Sequence, residues 1–222
     1  MTTAAPKRRI GRPTGKTDTR DVILDAAEGY FADGGFNATS MREVAEKAGV
    51  NQALITYYFK SKRGLYEAVF SRRAQEMVDE RDALLAKLLA DKPDSYTVRE
   101  VVAAYLKPQF DMLSSGEQGE KFVRIQARLH NEPEEVAFKL RSETYDEVTK
   151  KYIAALAKVL PHLSYDEVIW RMTFLIGTYL FMLSGVDRLG DLSDGKLHAE
   201  DPDEVVTRLV AFLEGGLAAP RS

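Results

Sequence analysis

Two groups of side chains in this sequence have the chemistry of recognition rather than of covalent catalysis. The first lies between residues 39 and 62. Thr39, Ser40 and Arg42, with Tyr58 and Lys62 further on, supply hydroxyls and cations of the kind that hold phosphate oxygens. Between them Gln52, Ala53, Thr56 and Tyr57 fall on one side of a helix. Short or polar groups so placed can approach base edges in a major groove. The second group is spread over the rest of the chain. Arg124 and Arg128 stand four apart, near Phe122, and the aromatics Tyr105, Phe110, Tyr145, Trp170 and Phe174 recur around them. A guanidinium facing an apolar cavity suits a carboxylate or phosphate, and pockets between helices are lined this way. The alternatives are core packing for the aromatics and, for Arg128, an ion pair with Glu120, Glu132 or another surface acid.

Covalent chemistry has no comparable support. The chain has no Cys, hence no thiolate nucleophile, disulfide or thiolate metal site. It has no glycine-rich phosphate loop. His130, His162 and His198 lack metal-ligand spacing. The expectation is a non-enzymatic chain with no cofactor and no metal.

The first group needs two short helices and a tight turn. Ser40 has the chemistry of an N-cap and Glu43 completes a capping box, so a helix opens at Met41. Val44, Ala45 and Ala48 give it an apolar stripe, and Gly49 ends it in the left-handed conformation glycine adopts cheaply. A second helix spans Gln52 to Phe59, with Leu54, Ile55 and Tyr58 able to face inward; one of Tyr57 and Tyr58 is expected to do so. The Ala45–Gly49–Ile55 spacing is that of a helix-turn-helix, the alternative being an ordinary helical hairpin. A helix from Thr19 to Asp33, stopped by Gly34-Gly35, supplies Ile23 and Phe31 to a small core with Val44, Ile55 and Phe59. From its cap Ser61, a long helix to Ala90 would span about 43 Å and tie this head to the body.

The remainder reads as helices and loops, giving an all-α chain of about nine helices. Breaks fall at Lys92-Pro93-Asp94, Ser115-Gly116, Asn131-Glu132-Pro133 and Pro161, and Pro108 should kink its helix. Thr97/Glu100 and Ser164/Glu167 form further capping boxes. The helix from Tyr165 to Arg188 is apolar nearly all round, and a loop from Gly190 to Asp201 leads to a last helix, Asp203 to Leu217. Leu175, Tyr179 and Met182, paired with Leu209, Phe212 and Leu213, would build an intersubunit four-helix bundle; burial within one chain is the alternative.

Charge follows the same division. Net charge is −3, but residues 1–63 carry 11 Lys/Arg against 7 Asp/Glu, and residues 64–222 carry 20 against 27. A basic head on an acidic body still concentrates at nucleic acid, because the local field sets the contact. Residues 1–17 hold five Lys/Arg and no acid, and are expected to be a disordered basic arm. Within them Gly11-Arg12-Pro13 resembles the core of an AT-hook, placing Arg12 in a minor groove; a merely basic tail is the alternative. The longest uncharged apolar run, Met172 to Val186, is 15 residues, too short for a membrane span. With no signal peptide either, a cytoplasmic location is expected.

The stretch Asp18 to Phe70, and above all the run YYFKSKRGLYEAVF, resembles the TetR family of bacterial transcriptional regulators. That resemblance implies a helix-turn-helix domain at 18–63 and an effector-binding and dimerisation domain at 64–222. It also implies backbone-contacting roles for Tyr58 and Lys62, dimerisation through the last two long helices, and an inverted-repeat operator in double-stranded DNA. A second resemblance, Phe122-Val123-Arg124 with Trp170-Arg171-Met172-Thr173-Phe174, Gly177 and Ser184-Gly185, is to fatty-acid-responsive members of that family. It implies a fatty acid or acyl-CoA as effector and repression as the output. A DNA-organising or protein-responsive factor with no small-molecule ligand is the competing expectation.

Overall fold

The computed structural model describes residues 19–184, 186–199 and 201–220; Arg12, the rest of the basic arm and Gly185 lie outside them. Among the described residues there are ten helices and no strand. They are α1 (Thr19–Ala38), α2 (Met41–Ala48), α3 (Gln52–Phe59), α4 (Lys62–Asp91), α5 (Val98–Ser114), α6 (Glu117–Leu129), α7 (Glu134–Val159), α8 (Tyr165–Met182), α9 (Arg188–Leu192) and α10 (Pro202–Ala218).

Local chemistry explains most boundaries. Ser40, Ser61, Thr97 and Asp201 cap α2, α4, α5 and α10 through their side-chain oxygens. Only Thr97 forms the full reciprocal box, with the Glu100 carboxylate accepting from its backbone N–H at 2.9 Å. The box expected at Ser40 is absent, because Ser40 accepts from the Arg42 N–H at 3.2 Å. At Ser164 half the box forms: its oxygen accepts from the Glu167 N–H at 3.3 Å, while the Glu167 carboxylate turns to Arg171 at 2.9 Å.

Two boundaries differ from the sequence expectation. The first helix does not stop at Gly34-Gly35. It breaks at Gly35 (φ 71°, ψ −173°) and resumes to Ala38. The helix expected to reach Arg188 ends at Met182, and the short α9 opens the acidic loop beyond it. Asp187 caps α9 by accepting from the Gly190 N–H at 2.9 Å. Pro108, where a kink was expected, lies inside α5, which runs from Val98 to Ser114.

The head shares its core with α4. Ile23, Leu24, Ala27 and Phe31 of α1, Val44 and Ala45 of α2, and Ile55 and Phe59 of α3 bury against Leu65, Tyr66, Val69 and Phe70. A three-helix unit of this size buries too little apolar surface to be secure alone, so the shared helix is a necessity. One polar contact crosses that seam out of water. Glu28 is 1% exposed, and Arg72 and Arg73 each bind its carboxylate at 3.0 Å. At the far end Arg171 of α8 donates to the carbonyls of Leu217 and Ala219 at 2.8 and 2.5 Å, closing the C-terminus of α10.

The break at Gly35 has a measurable consequence. Its φ/ψ pair is one that only glycine adopts freely, and an added Cβ would also meet Glu132 Oε1 at 2.6 Å. Gly35→Ala is expected to destabilise the chain by about 1–3 kcal/mol in urea denaturation. Gly29 is ordinary α1 interior with nothing within 4 Å of an added Cβ. Gly29→Ala should stabilise by about 0.5–1 kcal/mol.

Candidate nucleic-acid interface and effector region

The turn between α2 and α3 is built as a helix-turn-helix requires. Gly49 adopts φ 66°, and the Val50 N–H reaches back to the Ala45 carbonyl at 3.0 Å. Asn51, which was not among the expected residues, caps α3 by accepting from the Ala53 N–H at 2.8 Å. Its position just before the first periodic residue is the signal that would have found it. Ile55 and Phe59 anchor α3 inward, so Gln52, Ala53, Thr56 and Tyr57 are exposed on the opposite side.

Neither tyrosine of the pair turns inward. Tyr57 is 69% exposed and Tyr58 37%, their rings edge-to-face at 5.4 Å, and the inward positions of α3 are held by Ile55 and Phe59. Lys60, also unanticipated, lies beside them with Nζ 5.4 Å from the Tyr57 ring and donating to the Tyr57 carbonyl at 2.9 Å. Lys62 donates to the Asn37 carbonyl at 3.1 Å and sits 4.7 Å from the Phe36 ring. Burial lowers its pKa, with the nearby Glu132 charge opposing the shift. Arg42 is solvent-exposed and pairs with Glu46 at 2.9 Å, the kind of surface pair that competing phosphate can replace. Ser40 is half-buried at the start of α2. Thr39 belongs to the fold rather than to this face. It is 4% exposed and its hydroxyl donates to the Gly35 carbonyl at 2.8 Å, bracing the break in α1.

The eight side chains expected around an effector are not brought together. Tyr105, Phe110 and Phe122 are buried, and Tyr145 is half-buried between Phe70 and Gln126. Phe110 lines an outer groove with Leu84, Lys107 and Val206. Trp170 and Phe174 are each 62% exposed, 5.9 Å apart on the outside of α8. Arg124 faces Asp33 at 3.4 Å. Arg128 takes neither a cavity nor an acid: it donates to the carbonyls of Ala32 and Asp33, both at 2.9 Å. These carbonyls lie in the last turn before the Gly35 break, where a cation satisfies orphan acceptors and the helix dipole together. Glu132 completes this clamp by accepting from the Phe36 N–H at 2.8 Å. The end of α6 therefore grips α1 on both sides of its break.

Sequence reading also passed over Arg81. It is 1% exposed in the middle of α4 and donates from Nε to the Tyr105 carbonyl at 2.9 Å. Its signal was there: Phe70, Ala74, Met77 and Leu85 form a buried helical stripe that Arg81 interrupts.

The residues expected at a dimer interface divide. Leu175, Tyr179, Leu209 and Leu213 are buried within this chain, where α8 and α10 pack on α7, α5 and each other. Met182 is half-buried and Phe212 is 70% exposed. The apolar side chains that α8 turns outward include Trp170, Phe174 and Phe181 instead. Periodicity could not assign these phases, because α8 is apolar on all sides.

Comparison with known proteins accords with this geometry. Residues 23–69 match the family model of bacterial regulatory proteins of the tetR family, and residues 103–216, half of the chain, match that of the tetracyclin repressor-like C-terminal domain. The probable HTH-type transcriptional regulator YttP of Bacillus subtilis is 48% identical over 56 residues, 25% of this chain and 27% of that one. The HTH-type transcriptional activator FasR of Mycolicibacterium smegmatis is 29% identical over 115 residues, 52% of this chain and 49% of that one. The chain thus spans about half or less of these curated relatives. A TetR-family regulator from Bordetella parapertussis superposes with a TM-score of 0.65 at 16% identity, covering 89% of this chain and 94% of that one. The fatty acid degradation regulator FadR of Bacillus halodurans gives 0.57 at 21% identity, covering 88% and 98%. FadR of Bacillus subtilis, solved in complex with stearoyl-CoA, gives 0.54 at 20% identity over the same shares of each chain. At these identities the superpositions establish the fold, and the family models establish membership. The chain belongs to the TetR family of bacterial transcriptional regulators.

Proposed function

We propose that this chain is a DNA-binding repressor that acts as a homodimer and leaves an inverted-repeat operator when a small, largely apolar effector binds its body. The observation that carries the reading is α3: a short helix anchored by Ile55 and Phe59, with Gln52, Ala53, Thr56 and Tyr57 exposed on its outer side. In this reading those four approach base edges, while Ser40, Arg42, Tyr58 and Lys62 hold the phosphates, joined by Lys60. Residues 1–17 serve as a basic arm with Arg12 in the adjoining minor groove, residues 18–63 as the head, and 64–222 as the effector and dimerisation domain. Among the described residues no helix is long and apolar enough to cross a membrane, and we place the protein in the cytoplasm with its DNA.

One head makes few base contacts, so two heads must engage half-sites about 34–36 Å apart, one turn of DNA. The outward Trp170, Phe174, Phe181 and Phe212 support a dimer through α8 and α10. An effector that shifts α4 or α6 would move the heads through the shared core and the Arg128–Glu132 clamp, and it must itself bind more weakly when DNA is bound. The two FadR proteins, one named for fatty acid degradation and one holding stearoyl-CoA, favour a fatty acid or acyl-CoA as effector. Activation is the second reading for the sign, favoured by the name of FasR. Transcription from the operator-bearing promoter with and without the protein separates the two.

Fluorescence anisotropy on matched and scrambled duplexes tests the residue roles. Thr56→Ala should cost about 1–3 kcal/mol on the operator and leave scrambled DNA unaffected; Lys62→Ala should weaken both and lower the salt slope by about one. Equal losses on the two duplexes for Thr56→Ala would refute base reading. For the dimer, Phe212→Glu should give monomers in sedimentation with helicity unchanged, since the side chain is already 70% exposed. A persistent dimer would place the interface elsewhere.

A further inference from the structure

Arg81 is a buried cation without a counter-charge. Among the described residues no carboxylate pairs with it, and its Nη2 is buried with no hydrogen-bond partner. The guanidinium lies 4.0 Å from the Tyr105 ring and 5.9 Å from that of Tyr179, and the groups acting on its charge are phenols, those of Tyr105, Tyr179 and Tyr145, with the Tyr179 hydroxyl accepting a hydrogen bond from it. Burial pushes the Tyr145 and Tyr179 hydroxyls well above the ordinary tyrosine range, so they stay neutral and donate. Arginine does not shed its proton, and a charge out of water needs an opposite charge or a full set of acceptors.

The neighbouring helices α5 and α6 carry further buried polar atoms without partners. Gln109 lies one turn beyond Tyr105 on α5, is fully buried, and has neither amide atom hydrogen-bonded. Gln126 donates to the Tyr145 hydroxyl at 3.1 Å but leaves its buried carbonyl oxygen unmatched. Apolar rings adjoin Tyr145: Phe70 is 5.9 Å from it and 5.6 Å from Phe122. One donor-rich cation, neutral phenols and an apolar flank describe a receptor for an acceptor-only anion with a hydrocarbon body.

We propose that Arg81 anchors an internal site for an apolar monocarboxylate, whose oxygens take the unpartnered guanidinium N–H groups and the Tyr145 hydroxyl while its hydrocarbon lies toward Phe70 and Phe122. Arg81 is sealed from solvent in this structure, so entry must part α4 from α5 and α7. Movement of α4 reaches the head directly, since that helix begins at the cap Ser61. The site rests on the ligand-responsive reading above and names its ligand class.

The test is isothermal titration calorimetry of the full chain with octanoate, dodecanoate and phenylacetate, each beside the primary alcohol of the same skeleton, and with dodecanoyl-CoA. The wild type should bind at least one acid about tenfold or more tightly than its alcohol, as expected for a charge-assisted pair. Arg81→Met should abolish that preference, with helicity and operator affinity retained; Arg81→Lys should keep it with weaker binding. Tyr145→Phe, which preserves the ring, should reduce it. No preference for any acid in the wild type, or an unchanged preference in Arg81→Met, would overturn the site, as would binding of dodecanoyl-CoA alone. Should Arg81→Met fail to fold, the wild-type preference and the two conservative variants decide. Acid binding through Arg81 without loss of operator affinity would keep the site and refute effector-controlled release. Release by the CoA thioester with no acid preference would do the reverse.

Discussion

The seam where α1 meets α4 and α6 joins the head to the rest of the chain, and charge fixes it on top of a shared apolar core. Glu28, removed from water, is bound by Arg72 and Arg73 of α4. Loss of one side of such a pair strands the other charge and costs about 3–5 kcal/mol, more than most single contacts in a marginally stable fold. Arg128 and Glu132 then fasten α6 across the break at Gly35. Polar bonds of this kind have direction, unlike apolar packing, so they fix where the head sits as well as whether it folds. The glycine break is what exposes the carbonyls and the N–H that α6 uses.

That attachment gives the recognition surface its character. The α3 helix is eight residues long and could not persist by itself. Its order comes from the Asn51 cap, from Ile55 and Phe59 beneath it, and from α4 behind the head. The outer residues are thereby free of structural duty. Gln52, Ala53, Thr56 and Tyr57 are exposed, and the Thr56 hydroxyl and the Tyr57 ring engage only near neighbours, Gln52, Tyr58 and Lys60. The residues that hold α3 and the residues proposed to read DNA lie on opposite sides of one short helix.

Sequence disclosed what local chemistry decides. The helix-turn-helix boundaries followed from Ser40, Gly49 and Ser61, because caps and a left-handed glycine act within a few residues of themselves. The last helix, expected from Asp203, starts at Pro202 behind the Asp201 cap for the same reason. Long-range choices were not. Arg128 could have faced a cavity, an acid or a carbonyl, and only the fold brings Ala32 and Asp33, nearly a hundred residues earlier, beneath it. Thr39 resembled a phosphate ligand until the α1 break placed the Gly35 carbonyl 2.8 Å from its hydroxyl. Assignments on α8 exchanged places: Trp170 and Phe174, read as pocket lining, are outside, while Leu175 and Tyr179, read as interface, are inside. Arg81 was legible and overlooked, since a charge on a long helix is by habit assigned to solvent.

The account stands or falls on two heads held by α4 at a spacing that DNA selects. The chain has no cysteine, so Lys47→Cys on the exposed side of α2 can carry a single spin label per protomer. Pulsed dipolar spectroscopy on the free and operator-bound protein then reads the head-to-head distance. Operator should gather a broad distribution into one narrow peak, as two coupled heads settle on half-sites about 34–36 Å apart. Operator binding without a dipolar signal, or with an unchanged distribution, would contradict it.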